Sequence, residues 1–157
     1  MTDERARAAE DLYGLPPEEF TAARDALSRR LKATGDEDAA AEVKRLRKPS
    51  VAVWALNAAA RRHQAGVARL VEAGAALRAA QEDALSGDAS GLRQAGRALA
   101  DEIERVADLA AAELPGPSAA QRDRIVATLR AAAADPEAAD LLRRGVLARD
   151  LEAAGFG

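Results

Sequence analysis

The chain has 157 residues, enough for one domain, and it carries 31% charged and 48% hydrophobic residues with a net charge of −3. Alanine alone supplies 43 positions, whereas aromatic residues make up only 3%. This composition argues against a sheet protein, which needs β-branched and aromatic side chains, and predicts an all-α fold. The lack of cysteine and the single histidine, His63, exclude thiolate zinc sites, cysteine nucleophiles and multi-histidine metal centres.

Glycine and proline mark the limits of three short helices in the first 48 residues. The first is predicted over 3–12, and Gly14 ends it. The second opens at Pro16–Pro17, because proline suits the first turn of a helix. The turn 34–36 combines a glycine that favours a helix end with an aspartate that caps the next helix. This third helix must end before Pro49, because the residue preceding a proline is pushed away from helical angles.

A long helical hairpin is the strongest prediction from the hydrophobic pattern. Over about 49–85, apolar or small residues recur alternately three and four apart, and His63 falls at one of these positions. A glycine-rich turn follows, and the same alternation then predicts a second helix over about 89–114. Two such helices joined by a short loop form an antiparallel α-hairpin. The first is longer, so residues 50–61 need cover from the N-terminal helices or from the C-terminal segment.

The C-terminal part is predicted to form short helices that pack on the hairpin. Ser118 and Gln121 form a capping box ahead of one helix. Asp135–Pro136 opens another helix, which Gly145 ends. The sequence therefore predicts one helical domain over 1–157, with short helices in 1–48, the long hairpin in 49–114 and short helices in 118–157.

No feature of the sequence indicates a membrane protein or an enzyme. The N-terminal segment is charged and lacks the apolar core of a signal peptide. The longest apolar stretch, 51–60, is shorter than the roughly 20 residues of a membrane helix. Phosphate-binding glycine loops, dinucleotide-binding motifs and nucleophile elbows do not occur. We therefore expect a cytoplasmic, non-enzymatic protein without a cofactor, in which His63 is packed and not catalytic.

One region departs from the even mixing of charges. Residues 43–71 contain seven lysines and arginines and no acid, so this window carries +7 and the rest of the chain carries −10. The spacing of Ser50, Trp54, Asn57 and Arg61 puts them on one face at the start of the long helix. The candidate nucleic-acid-binding residues are Lys44, Arg45, Arg47, Lys48, Ser50, Trp54, Asn57, Arg61 and Arg62.

These residue types suit an anion-binding surface. Lysine and arginine neutralise phosphates, asparagine hydrogen-bonds a base edge or a sugar, and tryptophan stacks on a base. The N-terminus of the long helix, at Pro49–Ser50, adds backbone N–H groups that favour anions. The pattern therefore predicts binding of nucleic acid or another polyanion, with an affinity that falls steeply as salt rises.

Ordinary structural interpretations exist for the same residues. Cations at 44–48 close a helix and complement its dipole. Trp54 is also explained as a core anchor, Asn57 as a partner of a neighbouring helix end, and Arg61 and Arg62 as partners of acids on another helix. The absence of acids over 29 residues favours binding. The alternative function is a protein-interaction or self-assembly scaffold of coiled-coil type. A third hypothesis is an enzyme or small-ligand protein with a site between helices.

Three segments carry a resemblance to a known family. They are LYGLPPEEFTAARD at 12–25, VKRLRKPSVAVWALN at 43–57, and the ending 151–157. Together they resemble an uncharacterised family of all-helical actinobacterial proteins, and the likeness spans nearly the whole chain. The resemblance implies no activity. It does imply that the end with Trp54 and Asn57 belongs to the family's recurring motif. It also implies that longer members continue into a coiled coil, so that this chain is a short or trimmed member.

Overall fold

The computed structural model describes residues 3–151, and the fold is an all-α helical bundle. Within this range there are eight α-helices and no strand, and no helix is both long and apolar enough to cross a membrane. The family-like ending lies outside the described residues, apart from Leu151. The helices are α1 (Asp3–Asp11), α2 (Pro17–Ala33), α3 (Glu37–Lys44), α4 (Val51–Arg62), α5 (Gln64–Leu85), α6 (Leu92–Ala111), α7 (Ala119–Ala134) and α8 (Pro136–Arg144), with a 3-10 turn at Leu12–Gly14.

The predicted caps set several helix boundaries. The side chain of Asp36 accepts a hydrogen bond from the backbone N–H of Ala39 at 3.1 Å and so caps α3. Ser118 and Gln121 form the predicted capping box of α7. Gly145 ends α8 in the left-handed conformation, with φ at 71°, which costs glycine little. These predictions, made from local sequence signals, are confirmed.

The prediction of one helix over about 49–85 is wrong, because the chain breaks at His63. This residue has φ −125° and ψ 56°, lies between α4 and α5, and is exposed instead of packed in a seam. The physical reason is the different burial of the two helices. Helix α4 buries residues on most of its sides, whereas α5 buries one narrow stripe. The change of direction lets α6, α7 and α8 all contact α4, while α5 and α6 still pair across a short turn.

Buried apolar side chains form two clusters. The larger lies among α4–α8 and includes Val53, Leu56 and Leu129. The smaller lies among α1–α3 and their turns and includes Phe20. The segment after α8 joins the two, because Val146 belongs to the smaller cluster and the adjacent Leu147 to the larger. This segment and the 3-10 turn are thereby held against α4.

Candidate functional site

The coil between α3 and α4 exposes three cations, Arg45, Arg47 and Lys48, which we call the basic coil. In the part of the chain that the structure describes, none of the three forms an ion pair. The backbone between them is fixed, because Leu46 packs against the smaller cluster and its carbonyl accepts a hydrogen bond from Arg24 Nη1 at 3.0 Å. Pro49, which follows, is buried. The coil therefore presents its charges from an anchored backbone.

Lys44 adjoins the basic coil but is paired. Its Nζ lies 2.9 Å from Asp25 Oδ1, and Arg24 Nη2 lies 2.9 Å from the same oxygen. These two cations hold the pKa of the Asp25 carboxyl below its usual range, Lys44 being the larger cause. The Lys44 side chain is nevertheless 58% exposed. An exposed ion pair of this kind is weak, so Lys44 is only loosely held by Asp25.

Asn57 is fully buried, with 0% of its surface exposed. Its Nδ2 donates to the carbonyl of Leu147 at 2.9 Å, and its Oδ1 accepts from the N–H of the same residue at 2.9 Å. A weaker bond at 3.4 Å runs from Nδ2 to the carbonyl of Tyr13. The prediction that Asn57 faces a base or a sugar is therefore wrong. The amide instead ties α4 to two distant segments of backbone.

Arg61 also forms hydrogen bonds to backbone carbonyl groups of distant segments. Its Nε donates to the carbonyl of Gly145 at 3.1 Å, and its Nη2 donates to the carbonyl of Glu10 at 3.1 Å. The side chain passes so close to two glycines that a Cβ on Gly14 would lie 2.7 Å from Nη1, and a Cβ on Gly145 would lie 2.8 Å from Cγ. These glycines leave room for the guanidinium. Arg61 is thus held on the side of α4 that meets α1 and the end of α8.

The remaining three predicted residues have partners or packing of their own. Ser50 Oγ accepts a hydrogen bond from Val53 N–H at 3.2 Å and donates one to Asp150 at 2.9 Å. The α4 N-terminus is therefore already capped and faces a carboxylate, so the predicted anion site there is not supported. Trp54 is half-buried against the larger cluster. Arg62 Nε lies 3.4 Å from a carboxylate oxygen of Glu113.

A second group of cations lies at the other end of α4. A cleft of about 580 Å³ opens beside the break between α4 and α5, and Arg143 and Arg144 of α8 line it together with Arg61. Sequence reasoning missed the α8 pair, because it lies far along the chain from the acid-free window. The adjacent arginines before Gly145 were the available signal. Within residues 3–151, no cluster of histidine and acids is arranged to hold a metal ion.

Comparison of the chain with protein-family models, with curated proteins and with solved structures finds no match in any of the three. The resemblance noted from the sequence motifs stays an expectation. Function is therefore argued from the geometry of the two cationic regions.

Proposed function

We propose that the chain is a non-enzymatic helical module that binds nucleic acid through the basic coil, with Lys44 contributing at its edge. The observation that supports this is the exposure of Arg45, Arg47 and Lys48 on an anchored backbone, without an ion pair among the described residues. Because these side chains are not paired with a carboxylate of the described residues, no such ion pair has to break when they contact a phosphate. Their positive charge also stands out in a chain whose net charge is −3.

The proposed contacts are to phosphates and not to bases. Asn57 has no exposed surface and so cannot read a base, and Trp54 is half-buried against the larger cluster, which leaves only part of its ring for stacking. Phosphate contacts position a protein on nucleic acid without selecting sequence. We therefore expect little sequence preference. The logarithm of the affinity should fall with the logarithm of salt concentration with a slope near −3 for duplex DNA, since each phosphate contact contributes about −0.9.

The test is fluorescence anisotropy with labelled duplex DNA, single-stranded DNA and RNA between about 50 and 200 mM salt, a range over which a slope near −3 lowers the affinity about 60-fold. We expect dissociation constants below about 100 µM at the lowest salt for at least one of them, as for other non-specific binders. The triple variant R45Q/R47Q/K48Q should lose the binding.

A matched control keeps the change in net charge constant. The variant R29Q/R30Q/K32Q removes two arginines and one lysine that are exposed near the C-terminal end of α2. We expect it to retain the affinity and the salt slope of the unmodified chain. Equal losses in the two variants would show that only net charge matters, and absence of binding by the unmodified chain would refute the proposal.

The scaffold alternative has less support. Among the described residues, the exposed large apolar side chains are Val51 at 42% and Leu85 at 90%, and they lie on different helices. A self-assembly seam needs an apolar stripe that continues along one face. Light scattering that finds a stable oligomer would favour this alternative over nucleic-acid binding as the primary role.

A further inference from the structure

The cleft beside the break between α4 and α5 is large enough for a small ligand. Its volume of about 580 Å³ lies within the roughly 300–1,000 Å³ that is usual for small-molecule sites. One part of its lining is formed by alanine methyl groups, from Ala60, Ala65 and Ala68. The rest is polar and includes three arginines and an amide, Arg61, Arg143, Arg144 and Gln64.

Contacts outside the cleft hold these arginines in place. The carboxylate of Asp140 accepts from Arg143 Nη2 at 3.1 Å and from Arg144 Nε at 3.0 Å. Glu10 pairs with Arg144 through its carboxylate and with Arg61 through its backbone carbonyl. Each of these bonds uses only part of a guanidinium, which has further N–H donors in the same plane. These ion pairs are exposed and therefore weak, but they place the arginine side chains around the cleft before a ligand arrives.

The charge around the cleft is not balanced. Three arginines face two carboxylates, those of Glu10 and Asp140, which leaves one positive charge in excess. Gln64 and Ala65, which line the cleft, are also the first residues of α5, and His63 before them provides no side-chain cap. The first turn of α5 therefore lies beside the cleft, directly after the last turn of α4.

We propose that this cleft binds a small organic phosphate, with the phosphoryl group among the three arginines and the organic part on the alanine methyl groups. Planar guanidinium groups match the oxygens of a phosphoryl group in pairs. A phosphate monoester also offers three strong acceptor oxygens against the two of a carboxylate, and so can accept hydrogen bonds from more of the guanidinium donors. This proposal does not depend on nucleic-acid binding by the basic coil, which lies at the opposite end of α4.

Phenyl phosphate is the probe, because it combines a phosphate monoester with a compact apolar body, and benzoate and phenol are its controls. Calorimetric titration at low salt should give a dissociation constant below about 1 mM for phenyl phosphate, which corresponds to a binding free energy near −4 kcal/mol. Benzoate should bind at least tenfold more weakly, and phenol should not bind. Failure of phenyl phosphate to saturate below 10 mM, or equal affinity for benzoate, would overturn the proposal.

Two variants locate the site without removing the hydrogen bonds of Arg61 to Gly145 and Glu10. A65E places a carboxylate inside the cleft at an exposed position in the first turn of α5, where acids favour the helix. It should abolish phenyl phosphate binding, whereas A75E, at an exposed position further along α5, should not. R143Q should weaken binding about tenfold, because it removes a charged hydrogen-bond donor.

The same variants separate this proposal from the proposed function. A65E should bind DNA as the unmodified chain does, and R45Q/R47Q/K48Q should bind phenyl phosphate as the unmodified chain does. Unchanged phenyl phosphate binding in both A65E and R143Q would show that the cleft is not the site.

Discussion

The basic coil and the adjoining face of α4 are both rich in groups that bind phosphate, but the fold uses them differently. Arg45, Arg47 and Lys48 stay exposed without an ion pair in the described chain. Asn57 and Arg61, one to four turns further on, are bound to backbone carbonyl and N–H groups. The residue types alone do not distinguish the two regions. The difference comes from which other segments of the chain are packed against them.

Those segments are the end of α1 with the 3-10 turn that follows it, and the chain that follows α8. Both leave helical conformation where they cross α4, and so both carry backbone groups that need hydrogen-bond partners. Asn57 hydrogen-bonds to both the N–H and the carbonyl of Leu147, and Arg61 donates to the carbonyls of Gly145 and Glu10. Among residues 3–151, no such segment forms an ion pair with the cations of the basic coil. Four predictions test this contrast between structural and exposed polar residues.

Replacing Asn57 with alanine should have the largest effect. The substitution leaves the N–H and carbonyl groups of Leu147 without their partner and opens a small cavity at a fully buried position. We expect a loss of about 3–5 kcal/mol in the free energy of unfolding, measured by urea denaturation. The control Q64A removes an exposed amide and should change stability by less than about 0.5 kcal/mol. Similar losses in both variants would contradict the structural role of Asn57.

Gly145→Ala should be the next most damaging change. Gly145 has a positive φ of 71°, and an added Cβ would lie 2.8 Å from Arg61 Cγ. Gly35 also has a positive φ but has nothing within 4 Å of an added Cβ. We expect Gly35→Ala to cost about 1 kcal/mol from backbone strain alone, and Gly145→Ala about 2–3 kcal/mol because overpacking adds to the strain. Adding R61A should reduce the difference but not remove it, because the backbone carbonyl oxygen of Asn57 would still lie 3.1 Å from the added Cβ. An unchanged difference would mean that Arg61 does not fill this space.

Acid should weaken the fold through the carboxylates that pair with the cations near each region. Lys44 and Arg24 lower the pKa of Asp25, and Arg143 and Arg144 lower that of Asp140. A carboxyl whose pKa is lower in the folded state contributes stability above the unfolded pKa of about 3.9, and loses it as pH falls through the folded pKa.

The urea midpoint of the unmodified chain should therefore fall below about pH 4 as these groups take up protons. The variant D25N/D140N should show a smaller fall over the same range, and the difference should be modest because exposed ion pairs are weak. An identical fall in the two proteins would mean that neither pair contributes.

The smallest change in stability is expected for the triple variant R45Q/R47Q/K48Q. Because the three cations make no ion pair among the described residues, their loss should change the free energy of unfolding by less than about 0.5 kcal/mol. Circular dichroism and urea denaturation check this directly. A loss comparable to that of Asn57→Ala would mean that the basic coil is structural, and the contrast between the two regions would disappear.

Much of the fold follows from local sequence. Alanine and leucine periodicity predicts the helices, and caps such as Asp36, Ser118 and Gly145 mark where they begin and end. The break at His63 could not be predicted this way, because neither glycine nor proline occupies the position and its neighbours favour helix. The cause is tertiary: α4 is buried on most of its sides, and only the packed bundle shows that.

The candidate site could be predicted only in part, because it too depends on tertiary contacts. Helical spacing correctly put Asn57 and Arg61 on one face, but spacing does not reveal what covers a face. The acid-free window identified the cations of the basic coil, yet acids from distant segments, Asp25 and Glu113, reach Lys44 and Arg62. Local charge patterns locate cations, and long-range contacts decide which of them remain unpaired.

The buried amide of Asn57 also sets an order of assembly. Its partners Tyr13 and Leu147 lie 44 and 90 residues away along the chain, so closing these loops carries a large entropic cost. Contacts of such high sequence separation slow folding. A growing polypeptide cannot complete the centre of this bundle until Leu147 has been synthesised, so α4 obtains all its hydrogen bonds only after the segment that follows α8 is available.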